Sequence, residues 1–165
     1  MEPPLSVRIL VSLFLLTVAF IGVGWAQSAA SGPVGLWATI DDRSGRERGL
    51  VRIFETDGKL YGRIENVFEP GVADKTCEKC AGDRHNKPII GLDVIRGLRP
   101  DGDGRWSGGE ILDPETGDTY RVSMRLADSG RKLVVRGSLL GGLIGRSQTW
   151  LRTASNQQAP TASSR

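Results

Sequence analysis

From Thr119 to Leu126 apolar and polar side chains alternate without a break. Tyr120, Val122, Met124 and Leu126 share one parity, and Arg121, Ser123 and Arg125 the other. A strand with that pattern buries one face and wets the other, because successive side chains point to opposite sides of a sheet. Leu133, Val135, Gly137 and Leu139 against Lys132, Arg136 and Ser138 repeat it. Beyond residue 26 no segment carries a sustained helical period, so the chain reads as a series of half-wet strands.

Turn chemistry marks where the strands stop. Thr56-Asp57-Gly58-Lys59 is an Asp-Gly hairpin signal between Leu50–Glu55 and Leu60–Phe68. Pro100-Asp101-Gly102-Asp103-Gly104 separates Leu92–Leu98 from Arg105–Leu112. Asp113-Pro114-Glu115-Thr116-Gly117 precedes Thr119–Leu126, its proline presetting the turn and its glycine closing it. Asp128-Ser129-Gly130 leads into Leu133–Leu139; Trp37–Ile40 opens the series and Arg146–Arg152 ends it. About eight strands with mostly short connections favour antiparallel neighbours. Such a meander closes into an up-and-down barrel, which removes its exposed edges; an open sandwich is the alternative. Eight strands leave room for packed side chains or for one small ligand. The expected fold is therefore all-β, with the barrel domain at residues 33–153. Residues 154–165 lack an apolar payload and read as a disordered tail.

The N-terminus obeys a different rule. Arg8 precedes an almost wholly apolar run, Ile9 to Val23, and small residues follow in Gly24-Trp25-Ala26. Charge, apolar stretch and small residues at −3 and −1 make a secretory signal, with cleavage expected after Ala26 and Ala30 as second choice. An uncleaved membrane anchor is the competing reading, but the run is shorter than the ~20 residues a spanning helix needs. Without a cysteine near the cleavage site, lipoprotein anchoring is excluded. The expected plan is a signal peptide at 1–26, a short linker at 27–32, then the barrel, in a periplasmic or secreted protein.

Charge narrows the partners. The chain has 22 basic and 19 acidic residues, net +3, and residues 1–26 take away one of each, Arg8 and Glu2. The basic residues are scattered, with no run of five like charges. That suits a soluble surface with at most weak attraction to anionic lipid or polysaccharide. Nucleic acid is not an expected partner of an exported protein, and membrane contact is expected only in transit, through the signal peptide.

Gly35-Leu36-Trp37 at the first strand and Arg152 in the last resemble the calycin superfamily of ligand-binding barrels, which includes lipocalins and avidins. The resemblance implies that Trp37 and Arg152 stack to close one barrel end, a cation over an indole face being worth ~0.5–2 kcal/mol. A longer stretch, about residues 33–153, resembles the exported bacterial family called domain of unknown function 2147. The matching runs are Asn86-Lys87-Pro88-Ile89-Ile90-Gly91-Leu92 with Ile95-Arg96-Gly97-Leu98, then Gly109-x-Ile111-x-Asp113-Pro114 with Gly117-x-Thr119-Tyr120, then Gly145-Arg146-Ser147-Gln148-Thr149-Trp150. That resemblance implies export and a calycin-like barrel, and it brings no catalytic residues.

Cys77-Glu78-Lys79-Cys80 lies in a stretch between Pro70 and Pro88 that is too long for an ordinary turn. Three readings compete. A structural disulfide follows from an oxidising compartment and a short spacing. A metal site would add His85 and Asp74 or Asp83, although one Cys-x-x-Cys falls short of paired zinc knuckles. A redox pair would need a helix starting at the first cysteine to lower its pKa, and Ala81-Gly82-Asp83 and Pro88 argue against one. His85 is the only histidine, and no Gly-x-Ser-x-Gly elbow is present. Position five of an EF-hand reading of Asp101-Gly102-Asp103-Gly104 is Arg105 and position twelve is Leu112, so a hairpin turn is expected there.

Polar and aromatic residues supply the candidate binding set. Trp106 and Glu110 share a parity; Arg146, Gln148 and Trp150 share another; Trp37 and Asn66 join them if their strands face inward. Small-ligand pockets are built from aromatic walls with a few placed polar groups. An outer face or a barrel-end cluster would give the same pattern. The sequence thus points to a non-catalytic barrel binding a small, partly apolar molecule or envelope component, with no metal or cofactor implied. The rivals are a module that docks another envelope protein, and thiol or metal chemistry at Cys77 and Cys80. A filled interior would favour docking; an open cavity bordered by Arg146 and Gln148 would favour binding.

Overall fold

The computed structural model describes residues 32–139 and 142–153. The expected signal peptide at 1–26, all of the linker but Gly32, and the expected tail at 154–165 lie outside the described residues. Eight strands run in chain order: β1 Gly35–Ile40, β2 Glu47–Thr56, β3 Lys59–Val67, β4 Asp93–Pro100, β5 Arg105–Leu112, β6 Thr119–Ala127, β7 Lys132–Leu139 and β8 Ile144–Arg152. Each pairs antiparallel with its sequence neighbours, and β8 returns to β1 through Trp37↔Arg152 and Ala38↔Leu151, closing the barrel. The expected hairpin at Asp57-Gly58 has both residues at positive φ, 52° and 69°, the geometry whose twist matches the flanking strands.

Alternation decides what fills the barrel. Trp37, Val51, Ile53, Leu60, Ile64, Val122, Met124, Leu133, Val135 and Trp150 belong to one buried cluster. Trp37, Ile53, Ile95, Leu98 and Leu133 crowd the end where β1 begins and β8 finishes, and are wholly or almost wholly buried. Full burial of one such aliphatic side chain is worth about 1.5–3 kcal/mol. Much of the opposite parity is charged and exposed, although Leu36, Ala38 and Leu50 form a second, small buried cluster there. Arg52 pairs with Glu65 at 2.6 Å and Arg63 with Asp93 at 2.7 Å across neighbouring strands.

Two glycines reset the alternation. Between Leu60↔Leu98 and Gly62↔Ile95, β4 carries one residue more than β3; between Trp106↔Met124 and Gly109↔Val122, β5 carries one more than β6. Gly97 and Gly108 stand at these bulges with the same φ of 77°, which a side chain rarely adopts. Trp106 therefore faces inward with Gly109 and Ile111, while Glu110 faces outward. The shared parity expected for Trp106 and Glu110 is corrected by this extra residue.

The long β3–β4 connection folds back on the barrel. Thr76 bridges Pro88, the Cys77 amide donates to the Lys87 carbonyl at 2.8 Å, and the Gly91 amide donates to Ile64 at 2.8 Å. Cys77, Cys80, Ile89 and Leu92 join the main buried cluster. At Gly117, in the β5–β6 turn, an added Cβ would collide with the Lys79 carbonyl oxygen. The connection and that turn are thus in backbone contact.

Candidate functional site

One end of the barrel is packed and the other is hollow. The hollow end holds a cavity of about 1190 Å³, walled by inward residues that include Thr39, Val51, Ile64, Ile111, Tyr120, Val135, Gln148 and Trp150. Val72 and Ile89 of the long connection border it, and Arg48, Glu69, Glu115 and Arg146 stand around it at the strand ends and turns. Gly137 widens the wall. A Cβ there would lie 3.5 Å from Ile111 Cγ2 and 3.6 Å from Tyr120 Cβ, ordinary contact distances.

The candidate binding residues divide. Gln148, Trp150, Asn66 and Arg146 border the cavity. Trp150 is buried, and its indole N–H lies 3.4 Å from Gln148 Oε1. Asn66 sits one residue from the end of β3, and its Oδ1 accepts the amide of the next residue, Val67, at 2.8 Å. Arg146 has inward parity at the rim, but its guanidinium turns away to Asp42, at 2.7 Å, and its side chain is 68% exposed. A charged head this close to the mouth gains more from water and a carboxylate than from an apolar interior.

Trp37, Trp106 and Glu110 do not border the cavity, which corrects their place in the binding set. Trp37 and Trp106 face inward but contribute to the packed core. The Arg152 guanidinium lies 4.2 Å from the Trp37 ring centroid, as the calycin resemblance implies. Burial lowers the Arg152 pKa from its ordinary value. Glu110 is on the outer face, where its carboxylate accepts from Arg84 Nη2 at 3.0 Å. Arg84 is held under the long connection with a side chain only 10% exposed, and its Nε and Nη1 have no partner among the described residues. Beside it Arg96 donates to both oxygens of Asp83, at 3.0 and 2.8 Å. That bond holds the Asp83 carboxyl below, and the Arg96 guanidinium above, their ordinary values.

Cys77 and Cys80 are disulfide-bonded and buried. Both sulfurs are thereby withdrawn from metal coordination. The Cys77 sulfur lies 3.5 Å from the Pro114 carbonyl oxygen, so the bridge fastens the connection beside the β5–β6 turn. The His85 Nδ1 lies 3.0 Å from the Cys80 carbonyl oxygen; a carbonyl only accepts, so that nitrogen carries the proton. On the far side of the same turn, Arg48 reaches both Glu115 and Glu69, the latter at 3.3 Å. The Glu115 hydrogen bond is the main cause of a raised Arg48 pKa.

The wall residues missing from the candidate set, Val51, Ile64, Ile111, Tyr120, Val135 and Gly137, are ordinary strand residues whose alternation was visible. The sense of that alternation was not. Isolated glycines inside strands, as at 97 and 108, were the available sign that parity would slip.

Comparison with known proteins agrees with this architecture. Residues 35–152 match the family described as "Uncharacterized protein conserved in bacteria (DUF2147)". No curated protein matches the chain. Among solved structures, protein HP1028 of Helicobacter pylori, described as belonging to the lipocalin family, superposes with a TM-score of 0.64 at 22% identity, over 74% of this chain and 83% of that one. That likeness is one of fold. With its closed eight-stranded barrel and a match over most of its length, the chain belongs to the DUF2147 family and has a lipocalin-like fold.

Proposed function

We propose that this chain is an exported binding protein that holds a small, partly apolar molecule in its barrel without turning it over. The observation that carries the proposal is the cavity of about 1190 Å³, apolar along Val51, Ile64, Ile111, Val135 and Trp150 in the barrel wall and bordered by charged residues of the connection, turns and strand ends, among them Arg48, Glu69, Lys75 and Lys79. That composition and size suit a small organic ligand rather than an ion or a macromolecule. A docking module would gain nothing from a hollow interior, whereas a packed one would be more stable. The lipocalin-like fold supports the same reading by analogy only. Export to a periplasmic or extracellular space is supported by the Ile9–Val23 apolar run ahead of Ala26 and by a disulfide suited to an oxidising compartment.

Native mass spectrometry of protein purified from its own envelope tests both parts. The expected result is a polypeptide starting at Gln27 that carries a small added mass, released on denaturation. Intact Met1 would overturn the export reading. Protein that retains nothing and also fails to bind a neutral apolar dye would overturn the binding reading.

A further inference from the structure

Several polar residues that line the cavity are already engaged within the protein. Thr39 donates its hydroxyl to the Gly49 carbonyl at 3.3 Å, and Tyr120 directs its hydroxyl to Asp118 at 3.5 Å. The Asn66 oxygen is taken by the Val67 amide. At the mouth, Arg146 is neutralised by Asp42, and Arg48 by Glu69 and Glu115. Gln148 differs. It lies four residues into β8 from Ile144, about 13 Å down the strand from the open end. Its cross-strand partner is Val135, and buried Trp150 is the next inward residue toward the packed end.

Chemistry fixes which way the Gln148 amide is turned. An indole N–H only donates, so the amide atom beside Trp150 is the oxygen. The two N–H groups of Nε2 are then left over, and among the described residues they have no acceptor. Gln148 is half-buried and faces the open cavity, so a ligand that displaces water from its amide must supply an acceptor in exchange. Among the described residues the charged groups that border the cavity, Lys75 and Lys79 included, come from the connection, the turns and the strand ends rather than from the wall beside Gln148. Building on the binding role proposed above, we infer that the cavity takes an uncharged, largely apolar molecule that carries a hydrogen-bond acceptor, such as a ketone, ester or amide oxygen. The molecule enters acceptor first, and Gln148 Nε2 receives that oxygen one layer above Trp150. A carboxylate in the same place would sit beside Val135 and Trp150 with only a neutral donor, so the neutral acceptor should be preferred there to a fatty-acid anion.

The test uses protein purified from an envelope extract and freed of retained ligand, with N-phenyl-1-naphthylamine as a neutral fluorescent reporter. Undecane, 2-undecanone and decanoate at pH 8 serve as competitors. Gln148→Met keeps the length of the side chain and removes its donors. It should weaken 2-undecanone about 3- to 10-fold, the worth of one neutral hydrogen bond, and leave undecane unchanged. Decanoate should compete less well than the ketone in the parent protein. Gln148→Glu keeps an oxygen for Trp150 but presents no amide donor, and it should lose the ketone preference too, which decides the matter if the methionine variant fails to fold. Equal shifts for ketone and alkane, or preference for decanoate, would overturn the inference while leaving the binding role standing. A reporter that never binds would overturn both.

Discussion

The guanidinium of Arg152, the last residue of β8, covers the indole of Trp37 in β1 at 4.2 Å from the ring centroid and ties three chain segments together at the same time. Its Nε donates to the Gly130 carbonyl at 2.7 Å, Nη1 to Val34 at 3.1 Å and Nη2 to Gly32 at 2.6 Å. A planar fork makes these bonds; an ammonium does not. Arg152→Met should lower the unfolding free energy by about 2–4 kcal/mol, and Arg152→Lys should recover less than half of that. Urea unfolding of the three proteins measures it, and a lysine variant as stable as the parent would show that charge alone suffices.

Arg146→Ala is expected to be nearly silent. The Asp42 pair is exposed, and pairs of that kind are worth about 0–1 kcal/mol. Thermal melting and displacement of a neutral dye should both match the parent protein. A tenfold loss of ligand would mean that the guanidinium swings inward when the cavity is occupied.

Gly137→Leu should do the opposite. A leucine at 137 projects toward Ile111 and Tyr120 and fills part of the wall space that a ligand would use. Binding of any neutral apolar probe should fall at least tenfold, an arithmetic of about 1.4 kcal/mol, while circular dichroism stays that of a barrel. Gly137→Ala, whose Cβ would make ordinary contacts, should retain binding.

The Cys77–Cys80 bridge closes a very short loop, so its entropic contribution to global stability is about 2 kcal/mol on the chain-entropy estimate. Replacing both cysteines by alanine should leave the barrel folded and expose the connection to limited proteolysis between residues 72 and 90. Cleavage mapping by mass spectrometry checks this. Protection equal to the parent's would assign the anchoring to Ile89 and Leu92 instead.

Acid should weaken the outer patch around Arg96. In the folded chain Asp83 binds its proton less readily than in the unfolded chain, because Arg96 stabilises the carboxylate. The pair therefore contributes fully above about pH 4, the unfolded value, and its contribution disappears as the pH falls through the lower folded one. Asp83→Asn should flatten the stability profile below about pH 4 and leave its slope above pH 5 unchanged. Chemical denaturation from pH 2 to pH 7 reads it directly. An acid limb identical to the parent's would assign that limb to Asp41 and Asp128, whose carboxyls are also lowered, the first chiefly by Ser44 and the second by Arg131.

The strand count, the antiparallel order and the closing pair were legible because each rests on local chemistry: alternation in β6 and β7, turn residues at Asp57-Gly58 and Asp113–Gly117, and the Gly35-Leu36-Trp37 start. Gln148 and Trp150 were legible for the same reason, since they lie in one uninterrupted run of period two. Glu110 was misplaced by one extra residue, which no alternation count detects unless Gly108 is read as a bulge. Arg146 was placed on the correct parity, yet its long side chain reaches Asp42 across the mouth. Parity fixes where a Cβ starts and not where a flexible head ends.

The bulge at Gly108 also bears on how this gene can change. Loops tolerate gains and losses of residues, but a codon deleted at 108 would rotate everything between it and one end of β5 to the other side of the wall. Either Glu110 would be driven into the interior, leaving Arg84 behind without its counter-ion, or Trp106 would be ejected into water. Both outcomes remove a large share of a small domain's stability. Insertions and deletions should therefore accumulate freely in the Pro70–Pro88 connection and be purged from β5, so that among descendants of this sequence the spacing from Trp106 to Glu110 will outlast the identity of the residues between them.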